Sequence, residues 1–181
     1  MRKLLIIFSL SLVLTAHSFA QTPELFSGKW ILDKSASANS EADRYSYYHL
    51  GFTFDGDKLT VTKDFEFDRR KTSYSLILFT NKRGEKNSVP NPLSEEAEVS
   101  SKTRWKNGSI IREYSRQQDM GSIQSMNMYR VETTIEKYSL SEDTKNLYLT
   151  TTVTSEMYTN GMSSKTMGNL NSVVKLVFRR E

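Results

Sequence analysis

From about Tyr47 to Arg180 the chain alternates apolar and polar residues with a period of two, interrupted about every ten residues by a short polar turn. Each strand patterned this way buries one face, and strands joined by tight turns pair antiparallel. A single sheet of such strands covers its apolar face by curling on itself. The pattern predicts an all-β fold, an antiparallel up-and-down barrel of eight or nine strands, with no helix longer than a few turns.

Three turns set the expected register. Asp55-Gly56 suits a two-residue hairpin turn, and counting outward places Phe52 opposite Leu59 and Leu50 opposite Val61. The connection from Asp68 to Lys71 places Phe67 opposite Thr72, Phe65 opposite Tyr74 and Lys63 opposite Leu76, on the same inner face. Lys106-Asn107-Gly108-Ser109 pairs Trp105 with Ile110, Thr103 with Arg112 and Ser101 with Tyr114. Lys102 then stands opposite Glu113 outside, as an exposed ion pair, while Val99, Trp105, Ile110, Arg112 and Tyr114 face inward. Alternation also turns Tyr129, Val131, Thr133 and Ile135 inward, followed by Leu147, Leu149, Thr151 and Val153, then Val174, Leu176 and Phe178. A first strand is expected around Lys29 to Asp33. Two long connections, Asn81 to Glu96 and Tyr158 to Asn171, are expected to be loops, either of which would suit a lid over a barrel mouth.

Residues 1–20 read as a signal peptide rather than as fold. Met1-Arg2-Lys3 is positive, Leu4 to Ala16 is apolar but shorter than the about 20 residues a membrane span needs, and Ser18-Phe19-Ala20 offers small residues for cleavage before Gln21. Removing 20 of 181 residues leaves 161, residues 21–181, one barrel domain with a real core. The loss of Arg2 and Lys3 leaves 23 basic and 21 acidic side chains, a balance that argues against a nucleic-acid partner. Asp64, Glu66 and Lys102 on the outer faces argue against a lipid-embedded barrel, where a midplane Arg or Lys costs about 2–4 kcal/mol. An exported chain without cysteine is expected to be periplasmic or secreted and bacterial, and to need no disulfide at this size.

The run Phe26-Ser27-Gly28-Lys29-Trp30-Ile31-Leu32-Asp33-Lys34-Ser35 carries the G-x-W that opens the first strand of lipocalins, and its longer G-x-W-x-L-D-x-x-S form resembles exported bacterial lipocalin-like proteins of calycin type. Thr103 to Gly108 and Tyr138 to Asp143 resemble hairpins of the same group. The resemblance implies a structural role for Gly28 and Trp30, with an arginine near the last strand packing across the tryptophan. Arg180, sharing the parity of Leu176 and Phe178, is placed to do so, with Arg179 as the neighbouring alternative. It also implies a small hydrophobic or amphipathic molecule as the partner.

Little points to catalysis, so no catalytic residue, cofactor or metal is expected. After the signal peptide only His49 remains as a histidine, facing outward opposite Thr62, and no cysteine exists to complete a zinc or thiol site. Ser172-Val173-Val174-Lys175 matches a serine–lysine pattern, but residues three apart on a strand point opposite ways. An acid–base isomerase built from Tyr, Glu or Arg in the lumen stays open as an enzymatic reading. The sharper signal is the pair of interior cations, Lys63 and Arg112. Either each has a carboxylate partner, such as Glu132 or Glu136, or lies exposed at an open mouth, or Arg112 anchors the head of an anionic ligand. The tail would then lie among Phe52, Phe65, Tyr74, Trp105 and Tyr129, beside Lys63 and Tyr114. A cell-envelope interaction or inhibitor module, with a filled barrel and function in its loops, is the alternative.

Overall fold

The computed structural model describes residues 22–37, 39–91, 94–123, 126–160, 162–163 and 170–181. The expected signal peptide and most of the connection after Asn160 lie outside them. A 3₁₀ turn (Pro23–Phe26) leads into β1 (Gly28–Leu32), two one-turn helices, α1 (Lys34–Ser37) and α2 (Ser40–Asp43), and then β2 (Tyr45–Asp55), β3 (Lys58–Phe67), β4 (Arg70–Phe79), β5 (Glu85–Asn91), β6 (Ser94–Lys106), β7 (Ser109–Ile123), β8 (Met126–Leu140), β9 (Asn146–Thr159), β10 (Met162–Ser163) and β11 (Leu170–Arg180). Both helices are set by side-chain caps. Asp33 accepts from the Ala36 amide at 3.0 Å and Asn39 from the Ala42 amide at 2.9 Å.

The strands form one antiparallel sheet in the order β4-β3-β2-β1-β11-β9-β8-β7-β6-β5, with the short β10 beside β9. Ten strands thus make the barrel wall, more than the eight or nine expected. The additional strand is β5, which occupies the stretch where Gly84 and Pro90 suggested a loop. It pairs with β6 from Glu85–Ser101 to Pro90–Glu96, so the expected loop from Asn81 to Glu96 is largely wall. Pro90 is tolerated because β5 ends the sheet order and has no ladder neighbour on its far side.

That far side faces β4. At the base of the seam the Lys82 amide donates to the Thr103 carbonyl at 3.0 Å and the Trp105 amide to the Thr80 carbonyl at 3.1 Å, and further up side chains bridge the gap. The Asn87 carboxamide accepts from the Ile77 amide at 2.6 Å and donates to the Ile77 carbonyl at 3.0 Å, replacing one rung of backbone ladder. Glu85 accepts from the Phe79 amide at 3.4 Å. Two edges that would otherwise leave buried donors unpaired are thereby satisfied.

Both early hairpins differ from the expected register by two residues. Gly56 and Asp57 form the first turn, setting Phe52 opposite Val61, Phe54 opposite Leu59 and Leu50 opposite Lys63. Gly56 takes the positive φ of +57°, and Asp57 is held by Thr80 and Asn81, its carbonyl accepting at 3.1 Å and its carboxylate at 2.9 Å. A tertiary contact therefore outweighs the local preference for Asp-Gly. Asp68 and Arg69 form the second turn, at φ 47° and 66°, setting Phe65 opposite Thr72 and Lys63 opposite Tyr74. A shift of two preserves the face of every side chain. His49 accordingly lies outward opposite Asp64 rather than Thr62. The turn at Asn107-Gly108 has the expected pairing, although Glu113 bridges Arg104 at 3.4 Å rather than Lys102, which stands opposite it.

In β8 the expected faces are reversed. Thr134, Glu136, Tyr138 and Leu140 are buried, so Tyr129, Val131, Thr133 and Ile135 lie on the outer face. The apolar run at 129–135 suggested the other phase, but Glu136 is needed inside. Tyr129 stacks on Tyr158 across the β8–β9 ladder, ring centroids 5.0 Å apart.

The 3₁₀ turn closes one end of the barrel. Phe26 is fully buried against Phe52 and Trp105, above a core that includes Leu59, Val61, Leu78, Ile110, Leu147 and Phe178. Trp30 donates to the Phe26 carbonyl at 2.9 Å. The Arg180 guanidinium lies 4.4 Å over the Trp30 ring and donates to the Ser27 and Leu25 carbonyls at 2.9 and 2.7 Å. Gly28, at φ +116°, passes under that guanidinium. At the opposite end β7, β8 and β9 run on past the wall. The β6–β7 ladder stops at Ser101–Tyr114, whereas β7 stays paired with β8 to Ile123.

Candidate ligand-binding site

Above the apolar floor the lumen becomes charged. Lys63 on β3 reaches across to Glu136 on β8 at 2.7 Å, and Arg112 on β7 meets the other Glu136 oxygen at 3.2 Å. Tyr138 donates to Glu136 at 3.0 Å. Arg112 Nε donates to Ser101 Oγ at 3.2 Å, and Ser101 and Thr103 each donate to Glu85 at 2.7 Å. The chain of contacts therefore runs from β3 to β5 through two carboxylates. Burial pushes the Glu136 carboxyl up, but Lys63 and Arg112, with hydrogen bonds from Lys63 and Tyr138, outweigh it and bring it to about 2. Burial opposes the charge on Lys63 and Arg112 too, and the Glu136 carboxylate overcomes it, holding both cations above their ordinary values. All three stay ionised across the physiological range.

Arg112 thus has the partner that sequence reasoning allowed for, Glu136. Its guanidinium is not fully used, however. Nη2 is buried and has no hydrogen-bond partner among the described residues, in a side chain only 1 % exposed. Tyr114, two residues further along the same face, lies between two guanidinium groups, Arg112 at 4.4 Å and Arg116 at 5.6 Å from its ring. Arg116 Nε, and Arg130 Nε on β8, are also buried without a partner among the described residues. Glu132, opposite Arg116, bridges Arg130 at 3.7 Å. Arg112, Arg116 and Arg130 on this wall balance Glu85, Glu132 and Glu136, and Lys63 reaching over from β3 leaves the lumen cluster with one cation in excess.

The wall across the lumen is aromatic. Tyr45 and Tyr48 stack at 5.0 Å, and Phe65 packs on Tyr48 at 5.0 Å and Tyr74 at 6.4 Å. Phe67 lies 4.8 Å from Tyr45. Burial raises the Tyr45 hydroxyl to about 12 and those of Tyr48 and Tyr114 upward as well, so all three are protonated donors. A pocket of about 800 Å³ opens at this rim, lined by Phe65, Phe67, Asp68, Arg70, Lys71, Thr72 and Pro90. It sits at the top of the β4–β5 seam, beyond the reach of Asn87. A second groove of about 700 Å³ follows β6 up to the point where β7 leaves it, between Ser101 and Tyr114.

Lys63, Phe65, Tyr74, Arg112 and Tyr114 are therefore gathered on the two facing walls. Phe52 and Trp105 are not with them. They pack against Phe26 in the floor. Tyr129 lies on the outer face. Arg116 and Arg130 went unread in the sequence, though Arg116 follows Arg112 by four residues and so shares its face. Glu85 was hidden by the loop reading of its strand.

No protein-family model and no curated protein matches the sequence. Among solved structures the chain is similar to a protein titled REP1-NXSQ fatty acid transporter (12 % identity, 86 % of this chain and 95 % of that one, TM-score 0.47). It is similar also to a Schistosoma mansoni fatty acid binding protein in complex with arachidonic acid (15 % identity, 90 % and 98 %, TM-score 0.47). A secretary abundant heat soluble protein from Ramazzottius varieornatus matches at 13 % identity over 90 % of this chain and 99 % of that one, TM-score 0.46.

Proposed function

We propose that this is an exported barrel that binds one small amphipathic anion in its upper lumen, without catalysis. The head group meets the unused Nη2 of Arg112 and the guanidinium of Arg116, and the tail lies against Tyr48, Phe65 and Tyr74 toward the rim. The observation that carries the reading is the buried, unpartnered Arg112 donor. A buried polar group without a partner costs about 1–3 kcal/mol, and an incoming carboxylate oxygen removes that cost while adding a charge-assisted bond. The aromatic wall supplies the apolar contact that a bare inorganic anion would not use. Export follows from the reading of residues 1–20 and predicts Gln21 as the first residue of protein recovered outside the cytoplasm.

Titration with a fluorescent fatty acid, and with the fatty alcohol of equal chain length, tests the assignment. The acid is expected to bind at least about tenfold more tightly, the equivalent of 1.4 kcal/mol, and Arg116→Ala to erase most of that difference without disturbing the Lys63–Glu136–Arg112 contacts. Equal affinity for acid and alcohol, or no binding of either, refutes it.

A further inference from the structure

Methionine is distributed in this chain in a way that core filling does not explain. Apart from Met1, every methionine falls between residues 120 and 167. The topology gathers the described ones, Met120, Met126, Met128, Met157 and Met162, at the free tip of the β7–β8–β9 ribbon. Their faces follow from the pairing. Met128 stands opposite Thr159, and Met162 stands opposite the same Thr159 from the other side. Met157 is two residues before Thr159. Residues paired across a ladder, and residues two apart along a strand, point to the same side. Met128, Met157 and Met162 therefore share one face, with Met157 diagonal to both others at about 7–8 Å. Met126 joins them on β8, two residues from Met128. Core methionines would be covered, yet Met126 is 38 % and Met162 73 % exposed.

We propose that this tip binds a soft monovalent cation of the Cu(I) class through the thioethers of Met128, Met157 and Met162, with Met126 as a further donor. Thioethers are neutral, polarizable donors that select Cu(I) over cations preferring oxygen or imidazole. The unbranched methionine side chain has enough rotatable bonds for sulfurs on neighbouring strands to converge. The chain has no cysteine to compete for the ion. Arg130, directly opposite Met157, adds selectivity. Its charge is only partly offset by Glu132 at 3.7 Å, and it repels a divalent ion twice as strongly as a monovalent one at the same distance. The ion binds as presented, with no change of oxidation state.

The test presents Cu(I) as its bicinchoninate complex under anaerobic conditions and follows the loss of that complex's absorbance. The wild-type protein is expected to withdraw one equivalent. The M128L/M157L/M162L variant keeps volume and apolarity, and is expected to lose at least tenfold in affinity with its unfolding midpoint unchanged. No withdrawal by the wild type, or equal withdrawal by the variant, overturns the proposal, the latter meaning that the tip is merely apolar. Should the variant fail to fold, wild-type protein carrying ¹³C at its methionine methyls is titrated with Ag⁺. Shifts at Met128, Met157 and Met162 uphold the site, and their absence overturns it.

Discussion

Replacing Glu136 by Gln removes one negative charge from between two buried cations while keeping the shape of the side chain. In the wild type the carboxylate takes bonds from Lys63 at 2.7 Å, Arg112 at 3.2 Å and Tyr138 at 3.0 Å. Breaking a buried ion pair by removing one partner costs about 3–5 kcal/mol. Separately, the carboxyl is held at about 2 against an ordinary 4.5, and a gap of that size corresponds to on the order of 3 kcal/mol at neutral pH. Because the folded value is depressed, the contribution is fully present above the unfolded value near 4.5 and is lost as the pH falls toward 2. Urea unfolding followed by the fluorescence of Trp30 and Trp105 reads the difference as a shift in midpoint at constant slope. E136Q is expected to be about 3 kcal/mol less stable at pH 7, with the gap closing progressively between pH 4.5 and pH 2. A gap below about 1 kcal/mol at pH 7, or one that does not change with pH, would show that the three charges are not coupled as described.

Asn87→Leu keeps the bulk of the side chain but removes both seam bonds to Ile77. It is expected to cost about 1–3 kcal/mol, and amide exchange at Ile77 should accelerate while exchange in the β2–β3 ladder stays slow. Protection at Ile77 unchanged by the substitution would mean that the seam is closed by something else. Arg180→Ala removes the contact over Trp30 and two donors to the 3₁₀ turn, and a loss of about 1–3 kcal/mol is expected. Trp30 emission should shift to the red as the turn loosens, and an unchanged spectrum and midpoint would deny the residue its role.

Architecture was legible wherever local pattern and packing agree. Away from the bulges near Tyr45 in β2, at the start of β6 and at Asp119 to Gly121 in β7, the faces of β2, β3, β4, β6 and β7 follow from alternation alone, and shifts of two in the Gly56 and Asp68 turns leave those faces intact. Arg180 over Trp30 was legible only through resemblance. Other features depended on partners remote in the chain. The inward phase of β8 is set by Glu136 meeting Lys63, 73 residues earlier, against an apolar run of the opposite phase at Tyr129 to Ile135. Strand β5 follows directly on Gly84 and carries Pro90 near its end, which read as loop. Only its position at the end of the sheet order makes proline harmless there. The seam itself has no local signature, since an asparagine standing in for backbone looks like any other asparagine.

A seam of this kind has a consequence for self-association. A barrel closed entirely by backbone ladders offers no template to another chain, whereas this one carries two latent edges, β4 and β5, masked by the side chains of Asn87 and Glu85. Around them sit Arg70, Lys71, Lys86 and Pro90, residues that discourage strand addition from outside. Protection against fibre-like recruitment is therefore concentrated in a few positions, and loss of Asn87 exposes a surface on which copies of the chain can exchange strands.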